Sequence, residues 1–304
     1  VPVMTAYPSK LNTNSESYAS NRAEMLALVD ELHALKDRAR QLSERRRPRF
    51  VERGQLTPRE RLATLLDPGM PFLELYGLAN YMVDVADREK SVPGASALSG
   101  IGFVNGVRCM IYASDSGIAA GAMMQKTGEK LRGCLDAALA LNLPFIHLVE
   151  SAGANLMKYQ VESWAHGGGG FYRLAQLSAA GIPTFVVLHG PSTAGGAYFP
   201  GMSDYVIGIK GRGRASLGGA ALVRAATGEI SDEEELAGAE MHATTTGSVE
   251  YLAEDDAHGL LMARDVIGGL GWNNRCPKPE RAPYVEPVHD PDDIAGLVPV
   301  DYRR

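Results

Sequence analysis

Cysteine is scarce in this sequence, which has three in 304 residues. Cys109, Cys134 and Cys276 lie far apart and form no CxxC pair, which excludes a disulfide framework and a zinc ribbon. The sequence also lacks an apolar run of membrane-spanning length and a basic, apolar leader at its beginning. These absences predict a cytoplasmic protein that is not inserted in a membrane.

Positive charge is in deficit, because 30 basic residues face 36 acidic ones and give a formal net charge of −6. Hydrophobic residues make up 45% and charged residues 22%, the composition of a globular domain. This balance argues against general nucleic-acid binding. One basic run, Lys210 to Arg214, lies between a predicted strand and a glycine turn and is interpreted as a solvated loop.

The N-terminal part is charged and periodic. Apolar residues between Ser17 and Arg47 recur at helical spacing and predict an amphipathic arm that Pro48 ends. The arginines around Pro48 have two interpretations, a favourable helix end or a clamp for phosphate groups. Further on, Thr57, Pro58 and Glu60 fit the start of a second helix.

From Ser99 onward, predicted strands alternate with helices. Asn105-Gly106 predicts a hairpin between residues 100–105 and 107–114. A helix is predicted over 122–141, buried strands over 144–149 and 183–190, helices over 171–180, 232–236 and 257–267, and a short strand over 204–209. This alternation predicts an α/β fold.

Small residues follow the two buried strands. Glu150 to Asn155 comes after the first strand, and Gly195, Gly196 and Ala197 open a helix after the second. Ligands of open α/β sheets bind at the carboxyl ends of the strands. Free backbone amides there suit an oxyanion, such as the enolate of a thioester, or a phosphate. The alternative is ordinary tight packing of helix on strand.

Several motifs in the same order carry a family resemblance. They are residues 53–75, the SAGAN and STAGGAY turns, residues 217–229 and residues 253–258. The sequence resembles the carboxyltransferase β subunit of biotin-dependent acyl-CoA carboxylases, in the methylcrotonyl-, geranyl- and propionyl-CoA group. The resemblance implies a crotonase-like spiral of ββα units, forming two roughly perpendicular sheets, with an N-terminal helical arm.

The resemblance also implies a domain division. Residues 1–66 would form the helical arm, and residues 67–285 would form the crotonase-like acyl-CoA-binding domain. Residues 286–304 would be a linker toward a second carboxyltransferase domain that this sequence does not contain.

The implied reaction moves a carboxyl group from carboxybiotin to the α-carbon, or the vinylogous γ-carbon, of an acyl-CoA. Family members are thought to use the biotin ureido group as the base, which explains why no catalytic side-chain pair stands out. Backbone amides would then stabilise the enolate. Matched to the family, these are the amides of Ala152, Gly153, Gly195, Gly196 and Ala197.

Binding residues and partners are implied in the same way. The CoA pocket would include Ala119, Ala120, Gly121, Lys126, Lys130 and Arg132, although each cation is equally explained as part of a solvated helix face. The acyl pocket would lie between Tyr76 and Ala97. Expected partners are a biotin carboxylase, a biotinylated carrier, the second carboxyltransferase domain and further copies of the chain, with no metal.

Other functions stay open at this point. The chain can be an assembly module that binds CoA without catalysis of its own, or a subunit of a biotin-dependent decarboxylase. Ser192, His189 and Asp204 suggest a hydrolase, but the spacing of GPSTAG does not match a nucleophile elbow. His242 and His258 lie near acidic residues and could belong to a metal site. Histidines in such positions are more often capping or core residues, and this second interpretation is favoured.

Overall fold

The computed structural model describes residues 8–154, 162, 169–274 and 286–303. Asn155 of the first small-residue turn and the proline-rich residues 275–285 lie outside the described residues. The chain forms two compact units, residues 1–37 with 277–304, and residues 38–276. In the first unit, the Tyr18 hydroxyl donates to Asp293, and the Asn21 side chain donates to the Gly296 carbonyl.

Helices and strands alternate through the second unit, which confirms the α/β prediction. The helices are α1 Glu16–Glu44, α2 Arg47–Glu52, α3 Pro58–Leu65, α4 Thr127–Leu141, α5 Gly169–Ala179, α6 Tyr198–Met202, α7 Ala220–Thr227, α8 Glu233–Ala237, α9 Ala239–Met241 and α10 Asp256–Gly269. The strands are β1 Leu73–Glu74, β2 Ala97–Val104, β3 Val107–Ser114, β4 Phe145–Ser151, β5 Thr184–Thr193, β6 Tyr205–Ile209, β7 Arg214–Ser216 and β8 Tyr251–Ala253. No helix in this described part of the chain has the length and apolar character needed to cross a bilayer.

Local signals placed several of these elements correctly. Thr57 caps α3 in a complete capping box with Glu60, as predicted. Asn105 and Gly106 both adopt positive φ angles, 47° and 75°, which join β2 and β3 in the predicted hairpin. Pro48 behaves differently from the prediction, because it lies in the first turn of α2 and so begins a helix there.

The sheet connects all eight strands, in the order β1-β2-β3-β4-β5-β6-β8, with β7 paired to β5. β3 to β6 and β8 run parallel, and β1 and β2 pair antiparallel. One edge of β5 pairs with β4, and the other edge is shared by two strands. Residues 185–188 pair with β6, and residues 191–193 pair with β7. The eight strands are therefore connected by hydrogen bonds into one set that branches at β5.

The core lies on both faces of β4 and β5. Every residue from Phe145 to Glu150 and from Thr184 to Gly190 is buried, as expected of central parallel strands. Six elements were not predicted, the strands β1, β7 and β8 and the helices α2, α7 and α9. A single turn of π-helix at His242–Thr246 was also missed.

Candidate active site

The two small-residue turns lie side by side, as the sequence predicted. They follow the neighbouring parallel strands β4 and β5, whose ends are joined at Ser151 and Ser192. A side chain placed on Gly153 would lie 3.5 Å from the carbonyl oxygen of Thr193. Both turns therefore line one crevice at the carboxyl end of the sheet.

The amides of the first turn are engaged within the protein. The Ala152 amide donates to the carbonyl oxygen of Ala120 at 3.0 Å. The Gly153 amide donates to Oγ of Ser151 at 3.1 Å. A ligand that uses either amide has to replace these hydrogen bonds.

The second turn presents an amide more openly. Ala194 adopts a positive φ of 55°, and residues Ala194–Ala197 form a turn of 3₁₀-helix that leads into α6. The first amides of a helical turn have no acceptor within the helix, which applies here to Gly195. A Cβ on Gly195 would meet its nearest neighbour, Phe171, at 3.8 Å, so the side-chain position of Gly195 is open to close approach.

A third turn completes the crevice. Ala119, Ala120 and Gly121 all have positive φ angles, and a Cβ on Gly121 would collide with the carbonyl oxygen of Glu150. The Ser151 hydroxyl donates to the Gly121 carbonyl at 2.7 Å. The structure thus brings three of the six predicted CoA-binding residues against the first small-residue turn.

The three predicted cations have different environments. Lys130 is buried and donates to the carbonyl oxygens of Gly94 and Ala97 at 3.0 and 2.6 Å. Burial lowers the pKa of Lys130 to about 8. Lys126, at the start of α4, pairs with Glu129 at 2.7 Å and is partly exposed, and Arg132 is half-buried. The geometry gives Lys130 a structural role and leaves Lys126 and Arg132 as candidates for phosphate contact.

A buried charged network, missed by the sequence reasoning, lies beneath the turns. Its members are Arg61, Glu150, His189 and Asp256, all buried. Nη1 of Arg61 contacts Oε2 of Glu150 at 2.5 Å, and Nε contacts Oδ2 of Asp256 at 3.1 Å. The other oxygen of Asp256 lies 2.8 Å from Nδ1 of His189. Glu150 and His189 lie on β4 and β5, so this network joins α3 and α10 to the strands that carry the turns.

The protonation states of the network follow from burial and from its partners. Desolvation acts to raise the pKa of Asp256, but hydrogen bonds from His189 and the Leu56 amide and the positive charge of Arg61 outweigh it and lower this pKa to about 2. Burial, reinforced by the Arg61 charge, lowers the pKa of His189. At neutral pH Asp256 is therefore a carboxylate and His189 a neutral imidazole. The sequence did contain one signal for this network, since His189 is a polar residue in an otherwise apolar strand.

The hydrolase and metal interpretations are not supported by the geometry. His189 bonds to Asp256, whereas Asp204 accepts hydrogen bonds from the backbone and hydroxyl of Thr184. Nδ1 of His258 accepts from the Glu254 amide at the start of α10, a capping contact. Among the described residues, no group of three or more metal-ligating side chains comes together.

Comparison with known proteins gives a consistent result. Residues 50–304 match the family model described as the carboxyl transferase domain. The chain is 43% identical to a probable biotin-dependent acyl-coenzyme A carboxylase beta2 subunit of Mycobacterium tuberculosis, covering 97% of this chain and 54% of that protein.

Solved structures agree on the fold. The geranyl-CoA carboxylase beta subunit of P. aeruginosa superposes with a TM-score of 0.89 at 42% identity, covering 99% of this chain and 55% of that one. The transcarboxylase 12S core, solved as a hexamer with methylmalonyl-coenzyme A bound, gives a TM-score of 0.70 at 27% identity, covering 80% and 47%. The resemblance and the crotonase-like fold predicted from the sequence are confirmed.

Proposed function

Since the chain belongs to the carboxyl transferase domain family, we propose that it is the acyl-CoA-binding part of the carboxyltransferase of a biotin-dependent acyl-CoA carboxylase. The chain spans about half the length of the relatives it matches. The proposal therefore includes a second carboxyltransferase domain, a biotin carboxylase and a biotinylated carrier as partners.

The observation that carries the proposal is the crevice between the two turns. Carboxylation of an acyl-CoA places negative charge on the thioester oxygen, and fixed amides stabilise that charge without an ionisable side chain. Gly195 supplies an amide, with Gly196 and Ala197 behind it in the same helical turn. Gly153 and Ala152 contribute after their internal hydrogen bonds are exchanged for the ligand.

The residues present fit an oxyanion of this kind, because small side chains leave the second turn open to close approach. When bound, carboxybiotin supplies the carboxyl group. The chain's own residues bind the thioester, orient it and hold the developing charge. The left-handed turn of Ala119 to Gly121 forms the side of the crevice where we place the CoA moiety.

The experiment that tests the proposal is a calorimetric titration of the chain with free CoA and with acetyl-CoA. We expect saturable binding of both compounds. Absence of binding to either one would contradict the proposal. Incorporation of labelled bicarbonate, measured with the second domain, biotin carboxylase and carrier present, separates an active carboxyltransferase from an assembly module.

Lys126 provides a sharper prediction. Lys126→Gln is expected to weaken CoA binding about fivefold, because it removes one charge-assisted phosphate contact near the surface, about 1 kcal/mol. The matched control is Lys210→Gln, since Lys210 also pairs with one acid, Glu254, and its side chain is 35% exposed, as that of Lys126 is. Equal CoA affinity in the two variants would remove Lys126 from the site.

Assembly into a homo-oligomer is part of the same proposal. The helix α1 leaves Leu28, Val29 and Leu32 exposed along one stripe. Apolar stripes of this kind are usually covered by another surface. The related transcarboxylase 12S core is a hexamer, and sedimentation of this chain checks whether it self-associates.

A further inference from the structure

The side chain of Glu150 touches segments that lead into all three turns of the crevice. Glu150 is the last buried residue of β4 and directly precedes the first turn. Its carboxyl group meets residues of α3, of β5 and of the loop after β3. A buried polar group costs free energy unless its hydrogen bonds are made, so these partners fix where the carboxyl group lies.

One oxygen of Glu150 connects α3 to the third turn. Oε2 accepts from Nη1 of Arg61 at 2.5 Å and from the hydroxyl of Ser116 at 2.9 Å. Ser116 lies in the loop between β3 and the left-handed turn of Ala119 to Gly121. The backbone of Glu150 meets the same turn, since a Cβ on Gly121 would collide with the Glu150 carbonyl oxygen. Both ends of this residue therefore hold the third turn.

The same side chain fills the space beside β5. A Cβ on Gly190 would lie 2.6 Å from Cγ of Glu150 and 3.0 Å from its Oε1. Glycine at position 190 therefore lets β5 approach the Glu150 side chain closely. The second turn begins four residues later, at Ala194. The position of β5, and of the turn that follows it, thus depends on where the Glu150 side chain lies.

We propose that Glu150 is a positioning residue of the crevice, whose side chain sets the distance between the turn that we place at the CoA moiety and the amides that hold the thioester oxygen. This inference rests on the proposed function, because it takes both parts of an acyl-CoA to bind in the crevice. Fixed donors stabilise an oxyanion when they lie about 2.7–3.1 Å from it. A misplacement of about 1 Å can lower a rate about 100-fold, so a small shift between the turns has a large effect.

The test compares two ligands in calorimetric titrations of the chain. Free CoA reports binding of the CoA moiety alone. Carboxymethyl-CoA is a thioether that carries a carboxylate close to the sulfur, and it presents a negatively charged oxygen to the amides. We call the ratio of the dissociation constant of free CoA to that of carboxymethyl-CoA the oxyanion preference. In the unsubstituted chain this preference is expected to be about tenfold or more, because hydrogen bonds to a charged acceptor are strong.

Four variants separate positioning from stability. Glu150→Ala removes both hydrogen bonds, and Ser116→Ala removes only the one from the loop before the third turn. Glu150→Gln is the conservative variant, because its amide oxygen can take the place of Oε2 and accept from both donors. Ser203→Ala is the matched control, since Ser203 is also partly buried and its hydroxyl donates one hydrogen bond, to the Phe199 carbonyl at 2.8 Å.

The expected changes are in the oxyanion preference. Ser116→Ala should lower it about fivefold and Glu150→Ala about tenfold or more, while affinity for free CoA stays within about twofold. Glu150→Gln and Ser203→Ala should keep the preference of the unsubstituted chain. Circular dichroism checks that each titrated variant is folded. Ser116→Ala decides the test even where Glu150→Ala does not fold, because it removes a single partly buried hydroxyl.

The outcomes separate the inference from the proposed function. An unchanged oxyanion preference in Ser116→Ala, or equal losses in Ser116→Ala and Ser203→Ala, overturns the positioning role and leaves the proposed function standing. An equal fall in affinity for both ligands also overturns it, since Glu150 would then only stabilise the fold. Loss of the preference in Glu150→Gln, or its absence from an unsubstituted chain that binds free CoA, overturns it as well. Failure of the unsubstituted chain to bind either compound would overturn both.

Discussion

Arg61→Leu is expected to lower the free energy of unfolding by about 3–5 kcal/mol. The Arg61 side chain is 2% exposed and contacts the carboxylates of Glu150 and Asp256. Leucine removes the cation and leaves two buried carboxylates without its charge or its hydrogen bonds. A urea titration followed by circular dichroism measures the loss.

Arg47→Leu is the matched control for that experiment. Arg47 also bridges two carboxylates, those of Glu44 and Glu60, but its side chain is 42% exposed. Water solvates these carboxylates after the substitution, so the expected loss is at most about 1 kcal/mol. Similar losses in the two variants would show that burial of the Arg61 network adds nothing to stability.

The same network includes residues of both strands that lead into the small-residue turns. Glu150 precedes the Ser151–Gly153 turn directly, and its carboxylate also accepts from the Ser116 hydroxyl at 2.9 Å. His189 lies a few residues before the second turn. A weakened network is therefore expected to disturb the positions of both turns together.

Acidification from pH 7 to pH 5 is expected to destabilise the chain through its buried histidines. His147 is buried among the rings of Tyr112, Phe145 and Phe199, and desolvation lowers its pKa to about 3. The unfolded chain takes up a proton near pH 6.5 and the folded chain does not, so stability falls as the pH falls below 6.5. His147 alone accounts for about 2 kcal/mol of loss by pH 5.

His189 acts in the same direction, since burial also lowers its pKa. His147→Phe keeps an aromatic ring in the apolar site and removes the titrating group. In urea titrations at pH 7, 6 and 5, this variant should lose about 2 kcal/mol less than the unsubstituted chain over that range.

His33→Gln is the control for the pH experiment, because the His33 imidazole is exposed on α1. The free energy of unfolding of His33→Gln should depend on pH in the same way as that of the unsubstituted chain. If His147→Phe shows an unchanged loss of stability between pH 7 and pH 5, the buried imidazole does not cause the acid sensitivity.

Much of the fold was predictable because its signals are local. Thr57 caps α3 by bonding to a residue three positions away. Asn105-Gly106 fixes a hairpin through the φ angles that those two residues tolerate. The continuous apolar runs of β4 and β5 predict that both strands are buried on both faces. The small residues that follow each strand predict the turns of the candidate site. Each of these features depends on neighbours within a few residues in the sequence.

Tertiary structure decided the remaining features, because they depend on residues far apart in the chain. The partners of Arg61 lie 89 and 195 positions away, and nothing near Arg61 in the sequence indicates which carboxylates it meets. Lys130 follows the helical pattern of a solvated face, yet packing directs its ammonium group to the buried carbonyls of Gly94 and Ala97.

The sequence by itself thus determined the α/β class, the family and the two turns that form the crevice, since backbone preferences and hydrophobic periodicity act over short distances. Only the tertiary structure decided that β5 divides one edge between β6 and β7 and that four buried polar residues form one network. The physical reason is that desolvation and charge pairing depend on which distant segments meet when the chain folds.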